Sequence, residues 1–196
     1  MIRAIVKWIV SCRLIIAFTE HLLPKIRITW GHTRMTGRKY RKGYALLQTG
    51  HILVTADENR LSTYLTPGDW AAHAALCVDK GSADFEIGEM HAEGFNKTTF
   101  FDLCHTSDRV CILSCDAWDS DYIGTVVAVC KSLDPTPYDF VFGQGFKELY
   151  CSELIVACDP EGRLQHLTSD TLLGPVVTPQ DILKSKNVTT VWDSDE

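Results

Sequence analysis

Four strand-like segments crowd the middle of this 196-residue chain, and their grouping is the tightest constraint on its fold. They are Ile52 to Thr55, His73 to Val78, Phe85 to His91 and Arg109 to Cys115, short apolar or alternating runs. The helix-like segments lie outside this group. One is capped by Asp119 or Ser120 and runs to about Leu133, ahead of Pro135. A second starts at Cys151 and carries Leu154, Ile155, Val156 and Ala157, and a short third opens at Pro179-Gln180-Asp181. Val188 to Trp192 reads as a last strand, Ala45-Leu46-Leu47 as a short early one, and Pro67-Gly68-Asp69 as a turn. Clustered strands with helices to either side predict an α+β domain, and the length suffices for one core plus an extension.

Charge divides the chain in two. The first 48 residues hold ten Lys or Arg against one acid, Glu20, leaving nine basic and twenty-four acidic residues for the rest. A +9 arm therefore precedes a −15 body, which suggests an anionic partner for the arm. From Ile2 to Leu23, apolar residues at 2, 5, 9, 12 and 16 fit one helical face, with Arg3 and Lys7 opposite. Its uncharged runs are far shorter than the roughly 20 residues a spanning helix needs. Lys7 and Arg13 also interrupt any signal-peptide core, so no cleavable signal is recognised. The arm either lies on an anionic membrane surface or packs on the domain. Residues 33–42 read as a basic linker, which divides the chain into an arm (1–43) and a domain (44–196). Placement is expected to be cytoplasmic or peripheral to a membrane. One aromatic residue in that stretch and no recognition motif give no reason to expect nucleic acid.

The eight cysteines do not spell a disulfide framework. Several, such as Cys111 and Cys130, sit inside apolar runs and read as small core residues in a reducing compartment. Cys104, His105, Cys111 and Cys115 offer four ligand types close together, but their spacing matches no paired zinc pattern. Gly143-Gln144-Gly145 lacks the further glycines of a phosphate-cradling loop. No metal or cofactor is expected.

Cys151 stands apart from the other thiols, because helix N-terminal N–H groups and the helix dipole favour an anion. His73, at a strand start, is a candidate to take its proton. Alternation puts Glu89 and His91 on one face of the third strand, where either is suited to orient the far ring nitrogen of His73.

Four segments in order carry a family resemblance: Gly50 to Thr55, Pro67 to Leu76, Gly88 to Phe95 and Tyr150 to Leu154. Together they resemble the circularly permuted papain-like amidases and peptidases, the YiiX/YaeF-like branch of the NlpC superfamily. In that family the histidine precedes the cysteine. The likeness spans about residues 44–158 and implies a mostly antiparallel sheet packed against helices, with the arm as an N-terminal extension. It implies Cys151 as nucleophile, His73 as base and Glu89 as the orienting residue, with His91 a rival for the last role. His51 departs from the pattern, which more often has Asp after the glycine.

The activity implied is hydrolysis of amide bonds in peptides, cell-wall peptides or acyl amides through an acyl-enzyme, with the Cys151 N–H as an oxyanion donor. A lipid-directed thiol hydrolase or acyltransferase of the lecithin-retinol acyltransferase group is an alternative. That group favours Asn before the cysteine and His two residues after it, where this chain has Tyr150 and Glu153. A non-catalytic membrane-associated module is the third reading.

Overall fold

A computed structural model of the chain describes residues 35, 37–56, 70–142, 145, 147–171 and 174–196. The expected amphipathic helix at 2–23 and the turn at 67–69 lie outside them.

Eight strands form among the described residues: β1 (Ile52–Ala56), β2 (His73–Lys80), β3 (Phe85–His91), β4 (Gly94–Thr99), β5 (Arg109–Cys115), β6 (Ser169–Thr171), β7 (Gly174–Val176) and β8 (Val188–Asp193). Six of them make one sheet in the order β4-β3-β2-β1-β5-β8, with every neighbouring pair antiparallel. The central strand β1 is buried along its whole length, as a continuous apolar run covered on both faces must be.

Alternation divides the side chains between two cores. Ala74, Leu76 and Val78 of β2 enter one cluster, Ala75 and Cys77 the other. The first cluster is closed by helices α3 (Ser120–Ser132), α4 (Cys151–Ala157) and α5 (Pro179–Leu183). The second is closed by α1 (Gly37–Leu46) and α2 (Phe100–His105). The expected α+β class and mostly antiparallel sheet are therefore present, as a sheet between two helical layers.

Local chemistry fixes the helix ends. Asp119 caps α3 by accepting from the Tyr122 N–H, and Thr178 and Asp181 form a reciprocal capping box on α5. Both helices start where the sequence predicts.

Two expectations are corrected. Residues 37–42, read as linker, belong to α1, and Ala45-Leu46, read as strand, end the same helix. Tyr40, Gly43, Tyr44 and Leu47 recur at helical spacing and face the second core, while Arg38, Arg41 and Lys42 stay exposed. Tyr40 stacks on Phe100 at 5.5 Å, and Tyr44 meets the edge of Phe85 at 5.1 Å. Gly43 lets the helix approach closely, because a Cβ there would stand 2.8 Å from the Trp192 ring. Lys39 reaches Asp195 at 3.5 Å, so part of the basic stretch pairs with the acidic body. Among the described residues no helix is long and apolar enough to cross a membrane.

Candidate active site

Tyr150 is the extended N-cap of α4, which makes Cys151 the first helical residue. The cap makes no side-chain hydrogen bond to the helix, so the start is held from outside. The Val177 N–H donates to the Tyr150 hydroxyl at 3.1 Å, and Ser152 Oγ donates to the Val177 carbonyl at 2.7 Å. Leu154 and Ile155 then anchor the helix in the first core.

The Cys151 thiol is 8% exposed and hydrogen-bonded to His73, with the N–H groups of Ala74 and Ser152 also directed to it. His73 opens β2 and is 25% exposed. Its Nε2 lies 2.8 Å from Oε2 of Glu89, which leaves Nδ1 for the thiol. Glu89, 3% exposed, comes from β3 opposite Ala75. The other Glu89 oxygen, Oε1, lies 2.9 Å from Nε2 of His91. The rings of His73 and His91 are 5.9 Å apart at 62°. All four candidates read from the sequence therefore meet, and the rivals Glu89 and His91 are bonded to each other.

Electrostatics distinguish this thiol from the rest. Burial penalises its thiolate, but the hydrogen bond and charge of His73, helped by the two N–H groups, hold Cys151 below the ordinary thiol value. His73 is also disfavoured in its charged form by burial, yet Cys151 and then Glu89 raise it to about 10. Burial pushes Glu89 up, while His73 and His91 bring it down to about 2. By contrast, burial drives Cys77 and Cys111 up to about 12 and raises Cys104 and Cys115 as well.

The sequence reading missed two neighbours of the nucleophile. Glu153 is only 9% exposed; it accepts from the Tyr150 N–H, and its Oε2 has no partner among the described residues. Burial and then the charge of Asp139 raise its carboxyl to about 7. Tyr138 packs against the first core, to which Cys151 belongs, and burial and then the Cys151 charge raise its hydroxyl. Neither lies on a periodic pattern that would single it out. His51 takes a local role, its Nδ1 accepting from the Gln48 N–H at 3.1 Å.

The four-ligand group at 104–115 does not assemble. Cys104 lies in the second core, whereas Cys111 and Cys115 share the first, on the other face of the sheet. The metal-competent group found among the described residues is instead His73, Glu89 and His91, with one ligand atom from each within 4.8 Å of the others.

A helix-borne thiol hydrogen-bonded to an imidazole that a carboxylate orients, with the histidine strand ahead of the cysteine helix, defines a permuted papain-like protein. Residues 46–192 match the family of permuted papain-like amidase enzymes, YaeF/YiiX, family C92, and the chain belongs to that family. It is also similar to the crystal structure of the metalloprotein yiiX from Escherichia coli O157:H7. That match has a TM-score of 0.64 and 16% identity over 75% of this chain and 97% of the other, and it establishes a shared fold. No curated protein matches the chain.

Proposed function

We propose that this protein is a cysteine hydrolase of amide bonds, with Cys151 as nucleophile, His73 as acid and base, and Glu89 orienting His73. The observation that supports it most is the unbroken hydrogen-bonded chain from Cys151 through His73 to buried Glu89, at a helix start. Membership of an amidase family supports the same class of chemistry.

In this mechanism the Cys151 thiolate attacks the carbonyl carbon and forms a C–S bond. The carbonyl oxygen becomes an oxyanion, for which the backbone N–H of Cys151 at the start of α4 is the donor. As the tetrahedral species collapses, the C–N bond breaks and the Nδ1 proton of His73 passes to the leaving amine. Water then attacks the thioester while His73 takes its proton. The C–S bond breaks, releasing the acid and restoring the thiolate–imidazolium pair. Glu89 stays ionised and holds one ring orientation throughout. Peptides, cell-wall peptides or acyl amides are the substrate class.

The neighbouring fold is that of a metalloprotein, and in this chain His73, Glu89 and His91 are the donors that fit a cation. Such an ion would supply positive charge beside Glu89; the steps above are carried by side chains alone.

Mass spectrometry after exposure to a library of thiol-directed acyl probes tests the reading. An acyl adduct on Cys151, lost in His73→Ala at neutral pH, is the expected result. Adducts confined to other thiols overturn it.

A further inference from the structure

Orienting His73 requires one acceptor, and Glu89 supplies it with Oε2. The acid–base cycle leaves His91 without a task, although its Nε2 sits 2.9 Å from Oε1 of the same buried carboxylate. Two imidazole nitrogens and a carboxylate gathered within 4.8 Å are also what a borderline divalent ion selects.

The arrangement is imposed by the backbone. Ala75 pairs with Glu89 in the antiparallel β2–β3 register, so two residues further along His73 falls opposite His91. Glu89 precedes His91 by two on the same face. The donors therefore come from two adjacent strands of a rigid sheet. Their polarity differs in a useful way: the carboxylate is buried, while His91 is 43% exposed and gives an ion a way in. The donor set has three members, which leaves a position for water, as exchangeable zinc sites do.

The geometry points to a site for a zinc-class divalent cation on His73 Nε2, Glu89 and His91 Nε2, whose occupation excludes the acid–base work of His73. The site itself stands on the geometry; only the exclusion rests on the function proposed above. Binding uses the Nε2 lone pair, so His73 gives its Nε2 proton to solvent. It then keeps only the Nδ1 proton, and passing that to a leaving amine would leave an imidazolate. The ion and the proton thus compete for one nitrogen, and filling the site switches hydrolysis off.

Chelator-treated protein and its Cys151→Ser variant are titrated with Zn2+ by calorimetry and with Co2+ by visible absorption. Both should bind alike, with Co2+ bands that lack thiolate charge transfer. His91→Ala, a change at an exposed position, should weaken Zn2+ binding on the order of tenfold or more. Glu89→Gln should weaken it further, with circular dichroism checking that the buried change leaves the fold intact. Zn2+ at concentrations that fill the site should stop turnover of the acyl probe, and chelator should restore it. A thiolate charge-transfer band, loss of binding in Cys151→Ser, or unchanged binding in His91→Ala overturns the site. Turnover that persists with the site filled overturns the exclusion. Failure of Cys151 to react in metal-free protein, with Zn2+ binding intact, overturns the hydrolase reading and leaves the metal site standing.

Discussion

Cys151 and His73 are hydrogen-bonded although they belong to different layers, the thiol to a helix over the first core and the imidazole to the start of a central strand. This contact holds the thiol below its ordinary value and raises the imidazole to about 10, which favours a thiolate–imidazolium pair. Competitive iodoacetamide alkylation at pH 6 should therefore label Cys151 ahead of every other thiol. First labelling at Cys77, Cys111 or Cys130 would show that the nucleophile has been misassigned.

His73→Ala should return Cys151 to ordinary thiol behaviour. An unassisted thiol is only about 0.3% ionised at pH 6, so labelling there should fall on the order of 100-fold. Wild-type labelling should set in at lower pH and change less from pH 6 to pH 9 than the variant's, because His73 holds the thiol below its ordinary value and itself remains protonated up to about 10. The variant's rate should climb across the same interval. A variant profile that matches the wild type's would remove His73 from its role.

Glu89→Gln keeps an oxygen for the His73 ring but loses the charge, whereas Glu89→Ala loses both. Labelling and acyl-probe turnover should fall in that order, with Gln the milder. If His91→Ala proves more damaging than Glu89→Ala, the carboxylate is not what orients the base.

Glu153 should make stability depend on pH. Its carboxyl sits near 4.5 when free and is raised to about 7 in the fold, so the folded state binds the extra proton between these values. The contribution is fully present below about pH 4.5 and is lost as pH rises to about 7, by up to about 3 kcal/mol. Glu153→Gln removes the loss. In urea unfolding its advantage over wild type should grow by about 2 kcal/mol from pH 5 to pH 8. Parallel pH profiles for the two proteins would rule this out.

The basic arm should draw the 196-residue chain to anionic liposomes at low salt. Each Lys or Arg near such a surface contributes about 1 kcal/mol, screened over a Debye length, so sedimentation should fall as salt rises. Ile9→Asp should weaken it even at low salt. A chain starting at residue 35 keeps α1 on the sheet and should stay in the supernatant with Cys151 reactive. If the full chain ignores liposomes and the shortened one loses its fold, the arm is a packing element.

What the sequence determined by itself is what short-range pattern encodes. Alternation and apolar runs located β1, β2, β3, β5 and β8, and side-chain caps with a following proline located α3 and α5. A thiol at a helix start, with the order of the four family segments, marked Cys151, His73 and Glu89. The tertiary structure alone decided the rest. Asn96 to Thr99 carries no apolar pattern and becomes strand only by pairing with β3 at the sheet edge. The basic stretch 37–42 becomes helix because Tyr40, Gly43 and Tyr44 find the second core, a surface assembled from distant strands. Likewise, alternation put Glu89 and His91 on one face and left them rivals. Only the register of β2 against β3 placed both histidines on opposite oxygens of one carboxylate, because cross-strand distance is set by hydrogen-bond pairing that no single strand carries.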